Sequence, residues 1–182
     1  IKGKDAAELK IGDETLPLTT GEYTKWLEID FKLAPTVTAH GICKFLLIST
    51  EPEFKLYVTP INIDPAQPAM PISHPTVYST YMSKLNGPYA TLGLAEDTWA
   101  LNEKVLCDKT FLDQAWAINE EREKMFFDAI AKANHGLVVC VFDGTDRVQH
   151  TFWRYIDDKH PAHEGQDPAD EQQRNGIEQV YI

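Results

Sequence analysis

The chain has 182 residues, of which 43% are hydrophobic and 25% are charged. This composition excludes a disordered or low-complexity protein. The formal net charge of −11 argues against a nucleic-acid duplex as the partner, because a basic surface is needed to hold a polyanion by charge. No apolar run approaches the roughly 20 residues that span a bilayer, so the sequence predicts no membrane span.

The first half of the chain has the alternation of half-buried β-strands. Apolar and charged residues alternate strictly over 27–33, a second β-rich run covers 37–48, and alternation returns over 54–59. Alternation with a period of two places apolar side chains on one face of a strand. Short connections between such strands favour an antiparallel meander. The sequence therefore predicts an antiparallel β module over residues 16–63.

Residues 64–109 have a different composition, rich in proline and aromatic side chains. Connections of this length are uncommon unless they carry function or are disordered. The aromatic content favours an irregular but packed connector. His74 lies within it, and a packed or solvated loop histidine is favoured there over a substrate contact.

Residues 110–182 are expected to form a helix, a strand and a second helix. Apolar residues between 110 and 133 follow a helical stripe, and Gly136 is a typical residue just beyond a helix end. The run 137–142, Leu-Val-Val-Cys-Val-Phe, has no polar member, which is typical of a strand covered on both faces of a parallel sheet. In open α/β sheets ligands bind at the carboxyl ends of strands, so the polar residues after Phe142 are the first candidates for chemistry.

Asp146 and His150 are the candidate metal ligands. They are four positions apart, so in a helix both side chains project from one face, one turn apart. Carboxylate oxygen and imidazole nitrogen both suit zinc at distances of about 2 Å. The alternative is a helix cap and a surface pair. Asp143 is expected to end the strand and satisfy loop amides, and Arg147 either meets a phosphate or, as is favoured, pairs with a carboxylate.

A family resemblance adds to these patterns. The segment 138–155, VVCVFDGTDRVQHTFWRY, resembles the strand, Asp-x-x-x-His and aromatic segment of the type I phosphodiesterase/nucleotide pyrophosphatase family, within the alkaline phosphatase superfamily. The blocks PEFKLYVTP (52–60), PISHP (71–75) and GPYATLGLAEDTW (87–99) resemble a prokaryotic branch of that family. The resemblance runs from about Trp26 to about Pro161.

The resemblance implies a site with two divalent metal ions, usually zinc, with manganese as the alternative. It also implies a Thr or Ser nucleophile that forms a covalent phospho-enzyme on a small phosphate ester or nucleotide-like substrate. Asp146 and His150 would bind the same ion, and His74 and Arg147 are weak candidates for substrate binding.

The family's nucleophile motif and its Asp-His-Gly ligand motif are not found in this sequence. We therefore expect an internal fragment with no catalytic residue of its own, inactive alone and binding no metal firmly. Its expected partner is the remainder of the parent chain, which would supply the missing groups.

The predicted fold class is α+β, with the antiparallel β module joined to a partial α/β, alkaline-phosphatase-like core. Two other functions stay open. One is a noncatalytic binding or scaffold domain in which Asp146 and His150 are structural. The other is a phosphoglycerate-mutase-like phosphotransferase of the same superfamily, with manganese in place of zinc.

Overall fold

A computed structural model describes residues 5–157, 159–161 and 171–181 of the chain. It contains both helices and antiparallel sheets, which confirms the α+β class. The chain divides into two compact units, Ile1–Ala95 and Glu96–Ile182. Within the described ranges, no helix combines the length and the apolar character that crossing a membrane requires.

The Ile1–Ala95 unit consists of short antiparallel strands followed by one helix. Its elements are β1 Ala6–Ile11, β2 Glu14–Thr19, β3 Leu27–Ala34, β4 Val37–Cys43, β5 Phe45–Ser49, β6 Lys55–Val58, β7 Asn62–Ile63 and α1 Tyr78–Asn86. The strands form three small sheets, β1-β2, β3-β4-β7 and β5-β6. The β region therefore begins before the predicted boundary at residue 16.

The β3–β4 hairpin is the part of this unit that the alternation predicted best. The two strands pair in antiparallel register, with Asp30 opposite His40. The run 37–48 is not one strand, because it breaks at Lys44 into β4 and β5, which belong to different sheets. The backbone N–H of Lys44 instead donates to the hydroxyl of Thr59 at 2.9 Å.

The alternation in β3 predicted the strand but not the burial of its far half. Leu33 is 68% exposed although it belongs to the apolar set of the strand. The buried side chains lie closer to the middle of the unit, where Ile42, Leu46 and Leu47 are fully buried. Leu47 forms a cluster with Ala7 and Leu18, so β1 and β2 contribute to this core.

The region predicted as an irregular connector contains two helices. One is α1, which follows the proline-rich stretch, and the other is α2, Thr98–Asn102, capped by the side chain of Asp97. The hydroxyl of Ser73 accepts from the backbone N–H of Ser79 at 3.0 Å near the start of α1. These local side-chain bonds order a stretch whose composition predicted a loop.

The Glu96–Ile182 unit is helical in its described part. Besides α2 it contains α3 Asp108–Lys132, α4 Gly144–Phe152, a 3₁₀ turn Trp153–Tyr155 and α5 Glu171–Gln179. The predicted helix over 110–133 corresponds to α3. Its core is a cluster of seven buried side chains from three helices and the residue after α5. They are Phe111, Leu112, Ala115, Val148, Phe152, Ile177 and Val180.

A polar clamp joins the start of α3 to the turn after α4. A guanidinium nitrogen of Arg154 lies 3.0 Å from a carboxylate oxygen of Asp108, and the hydroxyl of Tyr155 donates to the same carboxylate. Burial raises the pKa of Tyr155 to about 12, and its hydrogen bond to Asp108 adds to the shift.

The predicted strand at 137–142 is wrong. This segment is paired with no strand among the described residues, and Leu137, Val139 and Val141 are 87%, 74% and 73% exposed. Phe142 contacts the ring of Phe126 on α3 edge-on, at 5.8 Å between ring centroids. A strand needs neighbouring strands for its backbone hydrogen bonds, and the described part of this unit has none. The helix-strand-helix prediction for 110–182 therefore holds for its helices only, and residues 158, 162–170 and 182 lie outside the described ranges.

Candidate functional site

Helix α4 presents Asp146 and His150 together on its solvent side. Nε2 of His150 lies 3.4 Å from Oδ1 of Asp146, and the two side chains are 80% and 68% exposed. The acidic residue lies in the first turn of the helix and the histidine in the last, which is the favourable order for the helix dipole. The prediction that the two side chains converge is confirmed. The prediction that they follow a paired strand is wrong.

This pair offers one carboxylate oxygen and one imidazole nitrogen, a donor set that suits zinc. Two ligands are fewer than the three that a catalytic zinc usually takes from protein. In the part of the chain that the structure describes, no group of three or more His, Cys, Asp or Glu side chains is arranged so that it could hold a metal ion. Asp146 and His150 could therefore serve as two of the ligands of a larger metal site.

The opposite face of α4 fixes the helix in the core. Val148 and Phe152 are fully buried, and Phe152 stacks on Phe111 with 6.0 Å between ring centroids. Because buried positions recur every four residues along one side, positions 146 and 150 are left on the other side. The exposed pair thus projects from a helix whose orientation is set by apolar packing.

A network of ion pairs holds the first turn of α4. Nε of Arg147 donates to Oε2 of Glu96 at 2.7 Å, and Nη2 of Arg147 donates to Oδ2 of Asp143 at 3.0 Å. Arg122 of α3 also donates to Asp143. The network therefore connects the residue before α4 to α3 and to the start of the unit.

Glu96 is the most buried member of this network. Its side chain is 0% exposed, and the side chain of Arg147 is 13% exposed. Oε1 of Glu96 has no hydrogen-bond partner among the described residues. A Cβ at Gly144 would lie 3.0 Å from that oxygen, a separation shorter than nearly all real Cβ contacts. Glycine at position 144 therefore allows α4 to approach Glu96.

No family model matches this chain, and no curated protein or solved structure is detectably similar to it. The resemblance to type I phosphodiesterases thus stays a prediction.

The structure places the other candidate residues in different surroundings. Arg147 has the carboxylate partners that the favoured interpretation required. The carboxylate of Asp143 accepts no backbone N–H of α4, since it accepts from two arginines instead of loop amides. His74 is exposed in the loop before α1, within the Ile1–Ala95 unit. Its role in substrate binding, like that of Arg147, stays a prediction.

Glu96 and Arg122 are two members of this network that were not predicted from the sequence. Glu96 lies 51 residues before Arg147, so no local pattern links them. The residue type gave a partial signal, since a glutamate is costly to bury unless a cation meets it.

Proposed function

We propose that this chain is part of a metal-dependent phosphohydrolase of the phosphodiesterase/nucleotide pyrophosphatase type. In the parent protein Asp146 and His150 would hold one divalent ion, zinc by the chemistry of the donors, with manganese as the alternative. The observation that carries the proposal is the convergence of the two side chains, 3.4 Å apart, on the solvent side of a helix fixed by its opposite face.

The chemistry of the pair agrees with a role in phosphoryl transfer. A bound zinc ion supplies Lewis acidity toward a phosphoryl oxygen. Asp146 and His150 would hold that ion from one side, which leaves the solvent side of α4 open to a phosphate ester. The nucleophile, the second ion and the remaining ligands are expected from the remainder of the parent chain.

The exposed segment 137–142 supports a larger assembly. One side of it contacts α3 through Phe142, whereas Leu137, Val139 and Val141 are bare. Exposed apolar residues of high β propensity in an unpaired segment are what a strand would show if its sheet were supplied by another part of a protein. A partial α/β core completed by the parent chain would cover both its faces and would bring further ligands toward α4.

A noncatalytic binding or scaffold domain is the second candidate, and one observation favours it. Asp146 and His150 form a direct contact of 3.4 Å at the surface, and a contact between exposed side chains one turn apart on a helix needs no metal to explain it.

Zinc titration of the 182-residue chain by calorimetry or NMR separates the two candidates. We expect weak zinc binding that disappears in Asp146→Ala and in His150→Ala. His135→Ala is the matched control, because His135 is an exposed histidine of the same unit, and it should bind zinc as the wild type does. Identical titrations for all four proteins would instead favour the noncatalytic domain.

A further inference from the structure

We propose that Arg147 is a positioning residue for the two candidate metal ligands, Asp146 and His150. By bridging Glu96 and Asp143 it fixes the first turn of α4, and with it the direction in which Asp146 and His150 leave the helix. This inference rests on the proposed function, because Asp146 and His150 are metal ligands only under that proposal. The effect of Arg147 on the first turn of α4 can be measured without metal.

Arg147 is already hydrogen-bonded to two carboxylates of the protein. Its guanidinium is 13% exposed, with Nε 2.7 Å from Glu96 and Nη2 3.0 Å from Asp143. The planar fork of an arginine can meet two carboxylates at once, which the point charge of a lysine cannot do with the same geometry. The geometry therefore gives Arg147 a bridging role and not a solvent-facing one.

Glu96, which accepts from Arg147, is fully buried. A carboxylate with no exposed surface is tolerated only when a cation meets it, and Arg147 supplies that cation. The contact is tight, because Gly144 brings the backbone of α4 close to the free oxygen of Glu96. The first turn of α4 is thus held by a charge pair that is costly to separate.

Helix α4 begins without the usual side-chain cap. Asp143 stands at the N-cap position, where aspartate usually accepts from the backbone N–H groups of the first turn. It makes no such bond, and its carboxylate binds Arg122 and Arg147. Ion pairs replace the ordinary cap at this end of the helix. Arg147 directly follows Asp146, so a shift of this turn moves the aspartate first.

The apolar core does not fix the first turn of α4. Val148 and Phe152 hold the middle and the end of α4, whereas its first turn contains no large apolar side chain. The distance between the Asp146 and His150 side chains depends on that turn being helical and correctly placed. Arg147 thus supplies the constraint at the end of the helix that the core does not reach.

The test compares Arg147→Ala and Arg147→Lys with Arg154→Ala in the 182-residue chain. Arg154 is the matched control because it also pairs with a partly buried carboxylate, Asp108, at the other end of α4. We measure the zinc dissociation constant, the amide hydrogen exchange of α4 and the thermal midpoint. Losing residues that orient metal ligands typically weakens metal binding about 10 to 100-fold.

We expect Arg147→Ala to weaken zinc binding about tenfold or more and to speed amide exchange over residues 145–150. Arg147→Lys should recover part of both effects. Arg154→Ala should lower the thermal midpoint while leaving zinc affinity and exchange in the first turn unchanged. Wild-type zinc affinity in Arg147→Ala, or the same loss in Arg154→Ala, would overturn the inference.

Two further outcomes are separable. If the wild type binds zinc no better than His150→Ala, the proposed metal function fails, and the exchange data alone decide the positioning. Faster exchange in Arg147→Ala only would then support it, and equal exchange in all variants would overturn it. If Arg147→Ala does not fold, Glu96→Gln removes the buried charge at nearly constant volume and takes its place with the same expected results.

Discussion

At the scale of single residues, Asp146 and His150 differ from their neighbours because no described core contact depends on them. Both side chains are mostly solvent-exposed, whereas Val148 between them is fully buried. On this helix the candidate ligands are therefore different residues from those that form the core.

Asp146→Ala and His150→Ala should each lower the activity of the proposed parent enzyme by orders of magnitude and leave folding intact. Each change removes a proposed direct ligand, and even residues one step further from a metal typically cost about 10 to 100-fold. Diester hydrolysis at saturating zinc and the metal-free thermal midpoint measure the two effects. Wild-type activity in both variants would remove the ligand assignment, and a collapsed midpoint would favour a structural role.

Tyr155 gives the stability of the chain a pH dependence above pH 10. Burial and the bond to Asp108 raise its pKa from 10.0 to about 12. Between these values the folded protein keeps a proton that the unfolded chain has lost, so the free energy of unfolding falls as pH rises through this window. Tyr155→Phe should lack this part of the decline.

Urea midpoints of wild type and Tyr155→Phe at several pH values between 9 and 12 test this expectation. The difference between the two proteins is the relevant quantity, because only Tyr155 distinguishes them. Parallel curves for the two proteins would contradict the assignment of the pH dependence to Tyr155.

At the scale of elements, the buried face of α4 should dominate the stability of the helical unit. Phe152 is fully buried and stacks on Phe111, so Phe152→Ala should lower the free energy of unfolding by about 3–5 kcal/mol. Phe127→Ala is the control, because Phe127 on α3 is 61% exposed and its loss should change stability by about 0.5 kcal/mol or less. Chemical denaturation measures both, and similar losses would show that the two rings contribute alike.

The spacing of apolar residues predicted the helices and strands that are stabilised by contacts with residues nearby in sequence. The apolar stripe and Gly136 predicted α3 to within two residues of its start, and alternation predicted the β3–β4 hairpin. Helix α1 was missed because its sequence follows several prolines and begins with polar residues. Near its start the backbone N–H of Ser79 donates to the Ser73 hydroxyl, a bond that composition does not indicate.

The segment 137–142 shows why an apolar pattern is an incomplete predictor. Its residues have the β propensity of a buried strand, but the pattern cannot say which strands lie beside it. No strand among the described residues pairs with the segment, and Leu137, Val139 and Val141 are exposed.

The candidate site was predictable only in part, for the same reason. The four-residue spacing of Asp146 and His150 was enough to predict their convergence, because a helix fixes that geometry locally. The contact of Arg147 with Glu96 spans 51 residues and depends on tertiary packing.

At the scale of the whole molecule, the isolated chain should not hydrolyse a chromogenic phosphodiester above a buffer control, with or without added zinc or manganese. The sequence holds neither the nucleophile motif nor the Asp-His-Gly ligand motif that the resemblance requires. A continuous absorbance assay is sufficient. Turnover that depends on metal and disappears in His150→Ala would contradict the expectation.

The exposed segment 137–142 should also affect how this protein behaves in concentrated solution. Six uncharged residues with high β propensity and no proline form a surface to which another chain can add a strand. The net charge of −11 opposes such encounters at neutral pH through repulsion between molecules. That repulsion is screened by salt, with a Debye length of about 10 Å at 0.1 M and about 3 Å at 1 M. It also weakens near the isoelectric point of about 4.9. Colloidal stability is therefore greatest in dilute buffer well above that pH, and salting or acidifying the solution promotes strand-mediated precipitation.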